Sequence, residues 1–583
     1  MTAQIPLTQD ATGQANSGRR DVQVLSIAAD TTAMRSRSWQ RLRFEIEYAL
    51  EKGTTANSYL IRGNRIALFD PPGGSFTQAF LAALQAEIDP AEIDYIILGH
   101  TNPNRIETLK ALLPLTPHAT IVCSNPAAIA LQAAEINAPI QPIKGGTGSD
   151  IDLGQRHHLQ FILTPTPRWP DSMCTYDSVS EVLYSDKFFG AHICAEATYD
   201  IHRDTLLEDQ RYYFDCLMAP NARQVETALE RLGEYAPRLY ATGHGPLVRY
   251  GVSDLTQKYH QWAAQQQGQD LSVALIYASA YGNTTTIAQA IARGITKAGV
   301  GVISINAEQA TTAEIQEAAE TSAGFIMGSP TLGGHAPTQM QTALGIVLSA
   351  ASKTKLAGVF GSFGWSGEAI DLLEGKFKDA GYSFGFDPIR VKFTPDANTL
   401  QACEQAGTDF AQQLKKLKKA KAPRVTASSV EKAIGRIVGS MCVVTAKREN
   451  VSSAMLASWV AQATFTPPGF TVAVAKDRAI EGLMHTGSSF VLNILAEGNH
   501  LRPMKHFLKP FAPGEDRFAG VDARESEDGQ LILNDAIAYL ACEVAGRMDC
   551  GDHWVIYATI SGGEVMDINA KTAVHHRKTG THY

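Results

Sequence analysis

Residues 271–279 (LSVALIYAS) are a run of apolar and β-branched side chains with no polar face, the pattern of a strand buried on both sides of a sheet. The run empties into Ala280-Tyr281-Gly282-Asn283-Thr284-Thr285-Thr286, after which Ile287, Ile291 and Ile295 recur at helical spacing up to Gly299. A strand, a loop of hydroxyls with Gly and Asn, and a helix start together form a cradle for a monophosphate. Backbone N–H groups and the positive helix end face the dianion, and Ser279, Thr284 and Thr285 add hydroxyl donors. Two further apolar runs end the same way. Residues 323–328 (AGFIMG) lead to Ser329-Pro330-Thr331-Leu332-Gly333-Gly334, and residues 356–361 (LAGVFG) lead to Ser362-Phe363-Gly364-Trp365-Ser366-Gly367. Ligands of open parallel sheets bind outside the carboxyl ends of the strands, so the three loops define one cleft.

Trp365, set between glycines, is suited to lie flat on an isoalloxazine ring, while the glycines let backbone approach the flavin edge. The segment 270–412 resembles the flavodoxin fold over its whole length, which implies a doubly wound parallel sheet holding FMN. The residues expected around that FMN are Ser279, Ala280, Tyr281, Gly282, Asn283, Thr284, Ser329, Pro330, Thr331, Leu332, Gly333, Ser362, Phe363, Gly364, Trp365 and Gly367.

At 583 residues the chain is too long for one core. Two polar stretches read as linkers: residues 261–270 (QWAAQQQGQD), and residues 412–429, which contain the cationic KKLKKAKAPRV. They leave modules at 21–262, 270–412 and 430–583, preceded by a disordered lead-in at 1–20 that lacks the apolar core of a signal peptide. A net charge of −8 excludes a general nucleic-acid binder, and no run of 18 apolar residues exists to span a membrane. Eight scattered cysteines without a CxxC fit reduced, structural thiols and a cytoplasmic location.

In the first module, apolar strands again deliver polar residues. Residues 95–99 lead to His100-Thr101-Asn102-Pro103-Asn104-Arg105, residues 159–164 precede Arg168-Trp169-Pro170-Asp171-Ser172-Met173, residues 182–185 precede Asp186-Lys187-Phe188-Phe189-Gly190-Ala191-His192, and residues 238–243 precede His244. This layout resembles the metallo-β-lactamase-like domain of flavodiiron proteins, an αββα sandwich followed in the same order by a flavodoxin-like domain. The resemblance implies a first loop of the form HxExDH, a His before WPDSM, a bridging Asp before FG and a final His, together holding two irons that reduce dioxygen or nitric oxide.

Here His100 and His244 match those positions, but Asn102 stands for the Glu, Asn104 for the Asp, Arg105 for the second His, Arg168 for the third and Lys187 for the bridging Asp. One residue of slippage would put Asp186 at the last position instead. Three carboxylates are replaced and three cations introduced, a swing of about six charges, where a single unit pair at 4 Å is worth about 4 kcal/mol at an effective dielectric of 20. The expectation is a cationic pocket without a diiron site, open to an anion such as chloride, phosphate or a carboxylate. His157, His158 and His202 read as surface residues, and His192 lies near the pocket.

The last module is strand-rich over residues 435–447, 469–476, 489–495 and 538–565. The segment 451–459 (VSSAMLASW), Pro467-Pro468 and Gly551-Asp552-His553 resemble the flavin reductase family with its split β-barrel. That resemblance implies a second flavin, FMN or FAD, held by Ser453, Ala457 and Ser458, with Asn493 a weaker candidate. His553, the catalytic candidate, would approach nicotinamide or flavin, and the tail His575-His576-Arg577-Lys578 reads as a solvated basic end within reach of a pyrophosphate.

The whole chain thus resembles a flavodiiron protein with a fused flavin reductase domain, of the kind found in oxygenic phototrophs. The resemblance implies an oxidoreductase that takes electrons from NAD(P)H towards oxygen reduction to water. It would act as a homo- or hetero-oligomer, with a head-to-tail dimer as building block and an iron-bearing paralogue as acceptor. A regulatory or scaffold subunit with an anion pocket, and a stand-alone NAD(P)H:flavin oxidoreductase, are the alternatives.

Overall fold

A computed structural model describes residues 20–39, 52–145, 150–155, 157–421, 428–448, 451–509, 511, 515–526 and 528–580. The chain separates into two compact units, one of residues up to Gly268 with Ser304–Thr311, the other of Gln269–Ile303 with Thr312–Tyr583. The expected lead-in falls outside the described residues except for Arg20, which opens the first strand.

The first unit holds a seven-stranded sheet in chain order. Arg20–Ala28, Thr31–Ser38, Thr54–Arg62 and Ile66–Phe69 pair antiparallel, and Tyr95–Ile97, Thr120–Ser124 and Ile140–Ile143 continue it in parallel. A five-stranded sheet follows in the order Leu239–Thr242, Val182–Asp186, Met173–Asp177, His157–Leu163, Ile151–Gly154. Strand alternation sorts the side chains into layers. Ile121 and Cys123 pack with Phe80, Leu109 and Leu131 of the helices Thr77–Glu87, Pro103–Leu112 and Asn125–Ala133, whereas Val122 joins Tyr59, Phe69, Tyr184 and Leu239 between the sheets. On the far side Tyr240 and Leu183 meet Phe214, Leu229 and Trp262 of the helices Arg203–Leu217, Ala222–Leu232 and Val252–Gln267. Helix, sheet, sheet and helix make the expected αββα sandwich.

In the flavodoxin-like segment a parallel sheet runs in the order Gly301–Asn306, Ser272–Tyr277, Gly324–Pro330, Leu356–Phe363, Ser383–Phe384, and Ile389–Lys392 also pairs with Leu356–Phe363. This is the doubly wound order, with the chain reversing direction beside Ser272–Tyr277. The last part is a seven-stranded antiparallel sheet: Val451–Ala457, Cys442–Arg448, Ser489–Leu495, Ala536–Asp549, His553–Val565, Pro468–Ala475, Val460–Phe465. It wraps one core of Val444, Phe470, Val474, Leu492 and Ile556. The segment 538–565 is two long strands turning at Gly551, whose φ is +80°.

Three sequence expectations need correction. The first polar stretch is helical as far as Gln267, and the second as far as Lys421, because Leu255, Tyr259 and Trp262 in one helix, and Cys403, Phe410 and Leu414 in the other, bury a periodic apolar face beneath the polar one. His157 is buried and bonded through Nδ1 to Asp177 at 2.7 Å, so it is a core residue rather than a surface one.

The helices Asn283–Lys297 and Ala397–Lys421 touch through glycines. A Cβ on Gly294 would lie 1.9 Å from the Glu404 carbonyl, and one on Gly407 would lie 2.0 Å from the Ile291 carbonyl. Backbone cannot yield to so close an atom, so Gly407→Ala should lower stability by about 1–3 kcal/mol. An unchanged unfolding midpoint in thermal denaturation would refute this backbone contact.

Candidate functional site

The carboxyl ends of three parallel strands converge in the second unit. Gly282 caps the helix Asn283–Lys297 at φ +83° and has no side chain to offer the first-turn N–H groups, of which that of Thr285 goes to Ser279 Oγ. A Cβ on Gly282, Gly333 or Gly334 would meet nothing within 4 Å, so all three face open space. Tyr281 and Trp365 are 84% and 89% exposed, and Trp365 stands edge-on to Phe393 at 6.1 Å. Large aromatics left in solvent at strand ends, beside an uncapped helix start, fit a planar ring carrying a phosphate.

The remaining loop residues build this rim. Ser279 Oγ accepts the Thr285 N–H at 3.1 Å, Thr284 Oγ1 and Ser362 Oγ share a buried bond of 2.8 Å, and the Thr331 N–H donates to Ser362 O at 2.9 Å. Ser329 is fully buried and donates to the Pro330 carbonyl at 2.9 Å. Thr284, Ser329 and Ser362 therefore shape the loops from beneath, while Ala280, Tyr281, Asn283, Leu332, Gly364, Trp365 and Gly367 lie at least partly exposed around the opening.

In the barrel, Ser453 and Ser458 are buried and their hydroxyls have no partner among the described residues, and Ala457 is equally enclosed. The sequence did not single out Trp459, whose ring lies 5.0 Å from His553 and 5.0 Å from the Arg577 guanidinium. Its signal was its place directly after Ser458. His553 Nδ1 lies 2.8 Å from Asp552 Oδ1, and its buried Nε2 has no partner among the described residues. Orphaned polar atoms around an aromatic corner fit a planar polar ligand. Asn493 is different: it donates to Val443 O and Thr445 Oγ1 at 3.2 and 3.1 Å and accepts from Leu533 N at 2.8 Å, so it is a satisfied core amide.

The pocket of the first unit is saturated instead. Arg105 donates to Asp70 Oδ1 at 2.9 Å, to Asp186 Oδ1 at 3.3 Å and to the His100 carbonyl. Asn102 caps the helix Pro103–Leu112 by accepting the Arg105 N–H at 2.8 Å, and Asn104 lies in its first turn. His100 Nδ1 sits 2.7 Å from Asp171 Oδ1, and Thr101 holds the other carboxylate oxygen. His244 Nδ1 faces the Thr55 carbonyl at 2.7 Å and must donate there, which leaves Nε2 as an acceptor for the Lys187 ammonium 3.1 Å away. Burial and Lys187 hold His244 well below the usual histidine range, so it stays neutral. Arg168 and Lys187 both approach the Trp169 ring, at 4.9 and 5.7 Å.

This corrects the expectation of a strongly cationic pocket. Asp70 and Asp186 were already present at neighbouring strand ends and take up the introduced Arg105, with Lys187 also acting on Asp186, while Asp171 holds His100. Burial pushes the Asp70 carboxyl up to about 7 against the pull of Arg105, whereas Arg105 and Lys187 outweigh burial at Asp186 and hold it below the usual range. The donor set does not fit a pair of irons: the His244 lone pair is occupied by Lys187 and two of the carboxylates by Arg105. Among the described residues, no three His, Cys, Asp or Glu side chains are grouped to hold a metal ion.

A sandwich, a doubly wound flavin-type sheet and an antiparallel barrel in this order define a multidomain flavoprotein oxidoreductase. Family profiles agree segment by segment: "ODP family beta lactamase" matches residues 54–245, "Flavodoxin" 275–407 and "Flavin reductase like domain" 434–581. A relative from Nostoc sp. strain PCC 7120, named putative diflavin flavoprotein A 6, is 64% identical over 97% of this chain and 99% of its own. Putative diflavin flavoprotein A 3 of Synechocystis sp. strain PCC 6803 is 61% identical over 97% of this chain and 96% of its own. The solved metal-soaked Flv1 flavodiiron core from Synechocystis superposes with a TM-score of 0.66 at 62% identity, covering 68% of this chain and 99% of that one. The chain belongs to the diflavin flavoprotein A family of flavodiiron proteins with a fused flavin reductase domain, of cyanobacterial type. Among the described residues, no helix is long and apolar enough to cross a membrane.

Removing Arg105 leaves two buried carboxylates without their cation. Arg105→Ala should therefore cost about 3–5 kcal/mol in denaturant unfolding of the chain, and a loss below about 1 kcal/mol would show that the pair carries little weight.

Proposed function

We propose that this chain is the electron-delivering subunit of a flavodiiron pair: electrons pass from NAD(P)H through a barrel flavin and a flavodoxin-type FMN to the iron site of a paralogue, where oxygen is reduced to water. Flavins supply the step from two-electron to one-electron chemistry, and this chain's residues hold and shield them. The observation that carries the reading is the contrast between the two units: open cradles at Gly282, Gly333 and Gly334, against a pocket whose Arg105 and Lys187 fill the positions of metal ligands.

In this reading Gly282 and Asn283 offer N–H groups to the FMN phosphate, Tyr281 and Trp365 flank its ring, and Ser453, Ala457, Ser458 and Trp459 enclose the second flavin with His553 beside it. The chain itself holds no diiron pair, so its acceptor lies on a partner, in a head-to-tail dimer or larger hetero-oligomer in the cytoplasm. The scaffold reading loses its main support because Asp70 and Asp186 already take up the Arg105 charge. A stand-alone NAD(P)H:flavin oxidoreductase is separated by its product, hydrogen peroxide.

Elemental analysis and absorbance of the purified chain should give about two flavins and essentially no iron. Mixing it with an iron-bearing paralogue should form a complex and raise NAD(P)H-driven oxygen consumption without peroxide. Two irons per chain, or peroxide as the main product of the mixture, would overturn the reading. Gly282→Val, which places a branched side chain at φ +83°, should cost roughly 1–2 kcal/mol in the loop and reduce bound FMN while the barrel flavin is retained.

A further inference from the structure

The flavodoxin and flavin reductase segments meet across a buried ion network that no step of the proposed electron path uses. Arg293 lies on the helix Asn283–Lys297 and is only 4% exposed. Its Nε is 3.6 Å from Glu404 Oε2 on the helix Ala397–Lys421, and its Nη2 is 3.6 Å from Glu481 Oε2 in the barrel turn Ala479–Leu483. Each acid also has a partner on its own side. Glu404 takes the Lys297 ammonium within the flavodoxin segment, and Glu481 Oε1 takes Arg547 Nη2 at 2.7 Å and the Trp554 indole N–H at 3.1 Å within the barrel. The Arg547 guanidinium lies 4.1 Å from the Trp554 ring and 2.7 Å from His485 Nδ1. Arg293 is thus a cation held between acids of both segments. Two hydrogen bonds run beside it, Gln412 Nε2 to Asp477 Oδ2 at 3.0 Å and Arg517 Nη2 to Gln405 Oε1 at 3.4 Å.

The two ends of this network lie on the elements that also carry the two candidate flavin sites. The helix bearing Arg293 starts at the phosphate loop ten residues earlier, about 15 Å along its axis. On the barrel side, Trp554 directly follows His553 in the strand His553–Val565. The glycine contacts at Gly294 and Gly407 press the two flavodoxin helices together and so bring Glu404 against Arg293. Glu404 and Glu481 are 4% and 5% exposed. Burial and the neighbouring Glu481 push the Glu404 carboxyl well above its usual range, whereas Arg547 and Arg293 outweigh burial at Glu481 and hold it below. The Arg293–Glu481 attraction therefore acts out of water, where a missing partner is expensive.

We propose that Arg293 is a positioning residue: through Glu404 and Glu481 it locks the flavodoxin and reductase segments into one body and so fixes the phosphate-loop helix relative to the His553–Trp554 corner. Transfer between the flavin sites of one chain then occurs at a set geometry, without swinging of either segment. This consequence rests on the two-flavin reading above. The lock itself does not.

Arg293→Met tests it, because Glu404 keeps its Lys297 contact and Glu481 keeps Arg547 on their own sides; Arg293→Lys keeps the charge, and Arg293→Gln serves if the Met variant does not fold. In flavin-free full-length chain, scanning calorimetry of the wild type should show the flavodoxin and reductase segments melting together. Arg293→Met should split them into two transitions and raise hydrogen exchange in both the Ala479–Leu483 turn and the helix Ala397–Lys421, with Arg293→Lys intermediate. In flavin-replete protein, reduction of the barrel flavin by NAD(P)H should be unchanged, while onward reduction of FMN slows at least tenfold. A single joint transition with unchanged exchange in Arg293→Met would overturn the lock, and unchanged FMN reduction would overturn the positioning role. Failure of the wild-type barrel flavin to accept electrons from NAD(P)H would instead strike the two-flavin reading.

Discussion

Arg105, buried between Asp70 and Asp186, sets the character of the first unit. Two buried carboxylates at adjoining strand ends require a cation nearby, since an unpaired charge in such a place is among the costliest features a fold can carry. Supplying that cation from a side chain keeps the strand-end loops together with no ion from solution. It also commits the carboxylates, just as Lys187 commits the His244 lone pair. These internal ion pairs hold the strand-end loops of the sandwich together.

The second unit solves the opposite problem. Its helix Asn283–Lys297 begins at Gly282 without a cap from that residue, Gly282, Gly333 and Gly334 face open space, and Tyr281 and Trp365 stand in solvent. Helix-end N–H groups left without a protein partner are tolerable where an anion meets them. The barrel shows the same economy in a more enclosed form, with Ser453, Ser458 and His553 each leaving a buried polar atom without a partner among the described residues. One pocket is thus satisfied from within, while two others keep polar groups that a ligand could meet.

The parallel strand ends were legible in the sequence because a strand buried on both faces is apolar throughout and must release its polar residues in the loop that follows. That logic located the three FMN loops, His100, Arg105, Lys187 and His244. It passed over Asp70, although Asp70 ends the same kind of run, because substitutions at expected ligand positions drew attention away from carboxylates that were already there. The polar stretches at 261–270 and 412–429 hid their helical parts because their apolar residues fall at helical rather than contiguous spacing, although the two units do divide at Gly268. His157 looked like a surface residue because its partner Asp177 is brought to it only by the pairing of two strands.

By itself the sequence determined the order of three modules, the strand-end loops and which residues stand at the expected ligand positions, since each is written in contiguous segments whose periodicity and loop chemistry are local. Tertiary structure alone decided the charge balance of the first pocket, the corner of Trp459, His553 and Arg577, and the Arg293–Glu404–Glu481 seam. These depend on which distant side chains share a buried volume, and the pairing of charges across that volume leaves no period or motif along the chain.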